Sequence, residues 1–290
     1  MINLNGRALQ TKTLAMKSVA LRVIALIVLL ITVSSGALCQ QALPGVGRVV
    51  CLDCYHNNEW RTLKDGRRER YHYIWEDTSN SGYSELGNTI KSLGARISES
   101  NVSPTKSVLE KASLYIIVDP DTRAETSDPH FISDREAATL VNWVRGGGVL
   151  VIFANDSGNC EFEHLNGLSD RFGIHFDEDS RNDVKGKDFQ AGAFTNLPRT
   201  KMFRNVKKIY LKEISTLTVR KPANSNLTEG GDVIMASASF GRGYVFAVGD
   251  PWFYNEYFDN RKLPAGFDNY DAAKSIFNWL LEKAKPVNDK

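Results

Sequence analysis

The sequence predicts an α/β protein whose sheet is mostly parallel, carries helices on both faces and ends in an antiparallel extension. Three observations predict it. Six short apolar runs are rich in β-branched residues: "RVVCLD" (48–53), "SLYIIVD" (113–119), "GVLVIF" (148–153), "KKIYLKEI" (207–214), "DVIMASA" (232–238) and "GYVFAVGD" (243–250). The central runs are apolar at successive positions, as strands covered on both faces must be. Helical patterns separate them, and strand alternating with helix implies parallel crossover connections.

The elements follow in order. "SGYSELGNTIKSLG" places Leu86, Ile90 and Leu93 at helical spacing and stops at Gly94. "SDREAATLVNWVRGGG" opens with Ser133 and sets Glu136 three residues on, a capping box, and ends in three glycines. "FEHLNGLSDRFG" and "YDAAKSIFNWLLEKA" are the remaining helices, Lys64-Asp65-Gly66 is a hairpin turn, and "GRG" (241–243) is another. Residues 176–231 are more polar and less periodic, and "KKIYLKEISTLTV" reads as the antiparallel extension.

Ahead of this domain, residues 16–39 read as a secretory signal. Lys17 and Arg22 form its basic end, Val23–Val33 its apolar run and "SSGALC" its cleavage region. The apolar run is short for a membrane span. The expected organisation is signal 1–39 with the true start at Met16, linker 40–47, and one domain over 48–285. Cys39 could accept a lipid, but Leu38 is a poor fit to the small residue such a site wants, so no membrane contact is expected once the signal is removed. The protein is thus expected to be secreted or periplasmic. Formal charge is +2, part of it from the signal, so nothing favours a nucleic-acid partner. Cys51, Cys54 and Cys160 remain after processing; an odd number argues against a disulfide framework and for core cysteines.

In an open α/β sheet, ligands bind beyond the carboxyl ends of the strands. Four runs exit into "CYHNNEWR", "PDTRAE", "ANDSGNCEFEH" and "PWFYNEYFDNRK". All four are crowded with Asp, Asn and Glu, and two add Trp and Tyr. That mixture suits sugars, whose apolar faces stack on aromatic rings and whose hydroxyls satisfy carboxylates and amides. Asp53, Asn58, Glu59, Asp119, Asp121, Asn155, Asp156, Asn159, Glu161, Asp250 and Asn255 are the polar candidates. Trp60, Trp75, Trp252, Tyr254 and Tyr257 are the stacking candidates. The insertion "RTLKDGRRERYHYIWED" adds Arg67, Arg68, Arg70 and His72, which suit an acidic sugar; alone, they read equally well as a solvated hairpin.

Standard catalytic signatures are absent: no nucleophile elbow, no zinc-protease helix, no phosphate-binding glycine loop. An exported esterase or deacetylase is therefore disfavoured. His164 lies one helical turn beyond Glu161 and is the leading acid/base candidate, followed by His72; His175 and His130 are weaker. Glu163 and His164 are adjacent and should point apart, so no metal pair is expected, and no cofactor is expected either.

"LDCYHNNEW", "YIIVDPDT", "GGVLVIFANDSGNCEFEHLN", "FGIHFDEDSRN" and "VFAVGDPWFYNEYFDNRKLP" resemble a bacterial module associated with unsaturated glycuronyl hydrolases of glycoside hydrolase family 105, from about Arg48 to Leu281. The resemblance implies a flavodoxin-like, class I glutamine-amidotransferase-like fold. Cys54 and His56 stand where the module more often has Ser and Tyr, and no Cys follows "GVLVIF", so glutaminase activity is not implied. A related module acts as an oligosaccharide dehydratase on ulvan fragments. The implied activity is removal of water from a terminal uronic acid of an ulvan- or pectin-like fragment, leaving a 4,5-unsaturated residue, with a family 105 hydrolase as functional partner. That chemistry needs a base at C5, an acid at the 4-hydroxyl and a group to neutralise the carboxylate. His164, His72, Tyr254, Glu256, Tyr55, Arg181 and Asn182 supply the types. The alternative is a module that binds the acidic oligosaccharide and does no chemistry.

Overall fold

Double-sided burial explains the central strands of the computed structural model, which describes residues 42–259 and 261–287. The predicted signal, with Cys39, lies outside the described residues. In chain order, β1 (Val49–Asp53) is followed by the hairpin β2 (Trp60–Thr62) and β3 (Arg68–Arg70), then α1 (Ser84–Ser92), β4 (Arg96–Ser100) and the one-turn α2 (Lys106–Leu109). Next come β5 (Leu114–Val118), α3 (Asp134–Gly146), β6 (Val149–Phe153) and α4 (Phe162–Ser169). The polar middle holds β7 (Ile174–Phe176), β8 (Ala193–Phe194), β9 (Ile209–Tyr210), β10 (Leu217–Val219) and β11 (Ala223–Glu229). The chain closes with β12 (Asp232–Phe240), β13 (Gly243–Val248), α5 (Asn255–Phe258) and α6 (Asn269–Lys283).

The main sheet runs β4-β1-β5-β6-β13-β12-β10-β7, with β11 beside β12. Its first five strands are parallel. Ranked by chain position they stand in the order 2-1-3-4-5, the flavodoxin-like order. Alternate residues of the same strands enter two separate cores. Val50, Leu52, Ile116, Val118, Val151 and Phe153 pack towards α1 and α6, while Tyr115, Ile117, Leu150 and Ile152 pack towards α3 and α4. Each such aliphatic side chain contributes about 1.5–3 kcal/mol by leaving water, so these strands hold the fold together.

Local signals work as the sequence suggests. Ser133 Oγ accepts the Glu136 N–H, the Glu136 carboxylate accepts the Ser133 N–H at 2.7 Å, and α3 stops at left-handed Gly147. The antiparallel extension is present, but the strand expected over 207–214 shrinks to β9, which pairs with β8 outside the main sheet. Edge strand β4 was not expected: with one exposed flank, "RISES" needs no continuous apolar run. Residues 43–47, read as linker, form a turn docked on α1 through Gly45 N–H to Leu93 O. Cys51, Cys54 and Cys160 are free and buried. No helix among the described residues is long and apolar enough to cross a membrane.

Asp53 ends β1, Asp119 follows β5, and Asn155 and Asp250 stand two residues beyond β6 and β13, so all four lie at carboxyl ends of neighbouring parallel strands. Gly249 lets the β13 exit pass the Ser215 segment: a Cβ there would lie 1.8 Å from the Ser215 carbonyl oxygen. Gly249→Ala is expected to cost about 1–3 kcal/mol through this overpacking, read as a lower urea midpoint.

Candidate functional site

The strand exits converge on Asp119. Its φ is +41°, a left-handed conformation that a non-glycine residue adopts at a cost and that tends to mark functional turns. The side chain is 2% exposed; Oδ2 accepts a hydrogen bond from Asn155 Nδ2 at 3.0 Å, and Oδ1 is buried with no partner. Burial, reinforced by nearby Glu125, holds its carboxyl well above the usual range and so disfavours its charged form. Two residues on, Asp121 Oδ2 accepts from Asn58 N–H at 3.0 Å and Thr126 Oγ at 2.7 Å, and burial pushes it up to about 6. Burial also raises Glu125.

Two phenols complete this centre. The Tyr73 and Tyr254 hydroxyls are 2.8 Å apart, and burial drives both far above the ordinary phenol value, so they remain protonated. His72 and Tyr73 are consecutive left-handed residues, with φ of +67° and +53°. Their rings stack at 4.4 Å between centroids. His72 Nδ1 bonds the Glu59 carboxylate, and its side chain is 26% exposed. A carboxylate on Nδ1 fixes that nitrogen as the N–H and leaves Nε2 as the basic one.

A second histidine is wholly internal. Asp53 Oδ2 lies 2.7 Å from His56 Nδ1, and its Oδ1 accepts the backbone N–H groups of Tyr55 and His56 at 2.8 and 3.0 Å. His56 Nε2 lies 3.8 Å from Glu136 Oε1, an ion-pair distance beyond hydrogen bonding, and that oxygen accepts from Ser103 Oγ. Burial alone would discharge His56, but the charge and hydrogen bond of Asp53 outweigh it and raise its pKa. Burial likewise opposes ionisation of Asp53, yet His56 and the two N–H donors hold its pKa below the usual value. The capping carboxylate Glu136 therefore has a second task, joining the start of α3 to the β1 exit. Neither His56 nor Glu136 was singled out from sequence as part of the site. The signal available was the Asp-x-x-His spacing in "DCYH", but its partner lies some eighty residues away.

A family model described as a domain of unknown function, DUF4350, matches residues 76–263. The chain belongs to the DUF4350 family. The matched span takes in the exits of β5, β6 and β13, while β1 and the β2–β3 hairpin precede it. No curated protein matches. Among solved structures, the mmIFT52 N-terminal domain is 19% identical with a TM-score of 0.59, the alignment covering 80% of this chain and 96% of that one. The cytoplasmic proteins STM1381 and STM3548 of Salmonella typhimurium are 12% and 13% identical, with TM-scores of 0.53 and 0.52, each covering 82% of this chain and 99% of its own. At these identities the likeness is one of fold.

Several residues expected to touch ligand are structural in this DUF4350 protein. Trp252 is 1% exposed and packs on Phe253, and Trp75 is buried with its indole N–H on the Ser98 carbonyl, so neither ring is a stacking platform. Asn255 spends its whole amide inside the protein: Oδ1 accepts the Glu85 N–H, and Nδ2 reaches the Asp77 and Ser79 carbonyls and Ser84 Oγ. Asp53 is consumed by His56, and Asp250 is buried, accepting the Lys212 N–H at 2.9 Å. Arg181 is paired with Asp232 and Glu229 at the β11–β12 turn, so it is not a free carboxylate clamp. The Asn182 carbonyl accepts the Glu213 N–H. Glu256 is buried against Lys262. Asp156 is tied to Asn159 and Ser180. Tyr55 stacks on His130 at 3.9 Å.

His164 remains at the surface, 37% exposed, stacked on Phe131 and with Nδ1 2.9 Å from Glu161 Oε1. Glu161 also caps α4 by accepting the His164 backbone N–H. Glu163 and His164 do not point apart as expected: with Glu161, their donor atoms lie within 4.8 Å of one another, close enough to hold a cation. The N-cap position of Glu161 causes this, because its side chain folds back over the first turn.

Two expectations follow. Asn255→Ala strands buried backbone groups that cost about 1–3 kcal/mol each when unpaired, so the urea midpoint should fall sharply. His56 is raised and Asp53 lowered, so the stabilisation from His56 is complete below its ordinary value of about 6.5 and is lost as pH rises through its folded value. That from Asp53 is complete above about 3.9 and lost on acidification. Urea titrations should show stability declining on the alkaline side of this window, and His56→Gln should flatten that limb.

Proposed function

We propose that this DUF4350 protein is an exported carbohydrate-active enzyme that binds the terminal uronic acid of an oligosaccharide and eliminates water across C4 and C5. The observation that carries the reading is one juxtaposition. An imidazole oriented by a carboxylate, His72 on Glu59, is stacked against a hydrogen-bonded pair of phenols beside the buried carboxyl of Asp119. Base and acid thus stand side by side at the carboxyl edge of the sheet. The sequence resemblance to modules associated with family 105 glycuronyl hydrolases supports the same reaction class, and such a hydrolase would consume the product.

The chemistry assigns roles. His72 Nε2 takes the C5 proton, and the C5–H electron pair becomes the C4=C5 bond. The C4–O bond breaks as the Tyr254–Tyr73 pair delivers a proton to the departing hydroxyl, and water leaves. The proton on His72 then replaces the one lost from the phenols, so the enzyme ends unchanged. An anionic substrate is tolerated beside Asp119 and Asp121 because burial raises both carboxyls, which disfavours the charge that would repel its carboxylate. His72 takes precedence over His164, whose partner Glu161 is already engaged as a helix cap.

A binding-only module is the second reading. It is favoured by the burial of Tyr73, whose hydroxyl is engaged by Tyr254. Incubation with saturated uronic-acid-ended oligosaccharides separates the two: enol-ether absorbance appears for the enzyme and stays flat for the binder. For the enzyme, His72→Gln should lower turnover about 10²–10⁴-fold and leave affinity within about tenfold, because a base acts mainly in the transition state. His164→Ala should keep turnover within about tenfold on the same grounds; the opposite pattern would exchange the two histidines. Affinity should fall as pH rises through about 6, where Asp121 ionises and repels the ligand carboxylate. Calorimetry on either side of that value reads the change, and affinity that rises with pH would overturn the arrangement.

A further inference from the structure

We infer that the outer face of the β2–β3 hairpin is an anion-binding subsite for sugar residues beyond the terminal one. The inference rests on the oligosaccharide reading above and extends it from one sugar to a chain. In the hairpin register Trp60 faces Arg70 and Thr62 faces Arg68, so the two-residue alternation puts Trp60, Thr62, Arg68 and Arg70 on one face. Arg61 and Glu69, joined by an ion pair, occupy the other. Trp60 is 47% exposed, one of few large apolar side chains so placed. The guanidinium carbons of Arg68 and Arg70 sit 5.4 and 5.7 Å from its ring centroid.

This face is held, unlike that of a solvated hairpin. The Trp60 indole N–H donates to Asn58 Oδ1 at 3.0 Å, and Arg70 donates to the same oxygen at 2.7 Å and to the Cys54 carbonyl at 2.7 Å. The Asn58 backbone N–H donates in turn to Asp121 of the acid centre. Asn58 therefore couples the exposed ring and the β1 exit to Asp121 of the acid centre, which sets the indole next to the terminal-sugar site. The other hairpin carboxylate, Asp65, is taken by Arg67. Among the described residues Arg68 has the Trp60 ring as its partner and no carboxylate.

The combination specifies a ligand. A pyranose stacks its apolar face on an indole, and a carboxylate or sulfate on that sugar accepts two parallel hydrogen bonds from a guanidinium. A neutral glycan would use the ring and leave Arg68 idle. A nucleic-acid backbone needs several phosphate contacts in succession, and this face offers one ring beside Arg68, with Arg70 already held by Cys54, Asn58 and Asn101, a match for a single anionic sugar.

The test is calorimetry of the full chain with saturated galacturonic acid and its di-, tri- and tetrasaccharides, repeated with Trp60→Ala and Arg68→Gln. Affinity of the parent protein should rise at least tenfold with length. Both variants should lose that rise while keeping affinity for the monosaccharide and the parent melting midpoint. A sulfated uronate tetrasaccharide in a parallel arm identifies which anion Arg68 prefers; a gain abolished by Arg68→Gln in either arm supports the subsite. Monosaccharide binding with no gain in either arm overturns the subsite and leaves the terminal-sugar site standing. A gain that survives both substitutions also overturns the subsite alone. No binding at any length overturns both. Tighter binding of a single-stranded oligonucleotide than of the tetrasaccharides overturns the subsite in favour of nucleic acid.

Discussion

Covering the parallel strands β1, β5, β6 and β13 on both faces leaves them little interior room for polar side chains except at the strand ends. Val50, Ile116, Val151 and Phe246 serve one core, and their neighbours Cys51, Ile117, Ile152 and Val245 serve the other. Each of these four strands is almost wholly apolar, and polar residues gather at the carboxyl edge, where the crossover loops separate. The concentration of Asp and Asn at that edge is thus a geometric consequence of the fold. The surrounding shell then determines which of those groups become chemistry and which become struts.

Four residues at equivalent places show how the shell decides. Asp53 is as buried as Asp119, yet a histidine and two backbone N–H donors stabilise its charge, whereas Asp119 has an amide, a phenol and nearby carboxylates, and burial prevails. Asp250 has a Lys212 N–H, but burial still dominates and raises its carboxyl well above the usual range. Asn155 serves Asp119. One residue type at one edge of one sheet thus yields one carboxyl lowered and two raised, because a hydrogen-bonded counter-charge offsets desolvation and an isolated donor does not.

The loops beyond the edge are similarly divided. In "PWFYNEYF", Trp252, Phe253 and Phe258 are core and Asn255 is a four-way clamp on the 77–85 segment. Tyr254 alone presents a hydroxyl to the acid centre. In "CYHNNEW", His56 is internal, Asn58 is a junction, Glu59 orients His72, and Trp60 faces solvent. The density of aromatic and amide residues reflects a loop that must pack on itself before it can present anything.

By itself the sequence determined the sheet, because residues such as Ile116, Ile117 and Val151 declare two-sided burial through composition alone, and local rules fixed the Ser133–Glu136 cap and the Lys64-Asp65-Gly66 turn. It also placed the polar edge at Asp53, Asp119, Asn155 and Asp250, since strand ends follow from strand runs. Strand β4 stayed hidden because an edge strand needs only half the apolar pattern. The division of roles was settled only by tertiary structure. Glu136 reaches His56, Tyr254 meets Tyr73 and Arg181 is taken by Asp232 across separations that carry no local signal. Whether a Trp stacks on a ligand or on a phenylalanine, and whether a carboxyl is charged, depend on what the remote chain brings within a few ångströms, and periodicity and spacing hold no record of that.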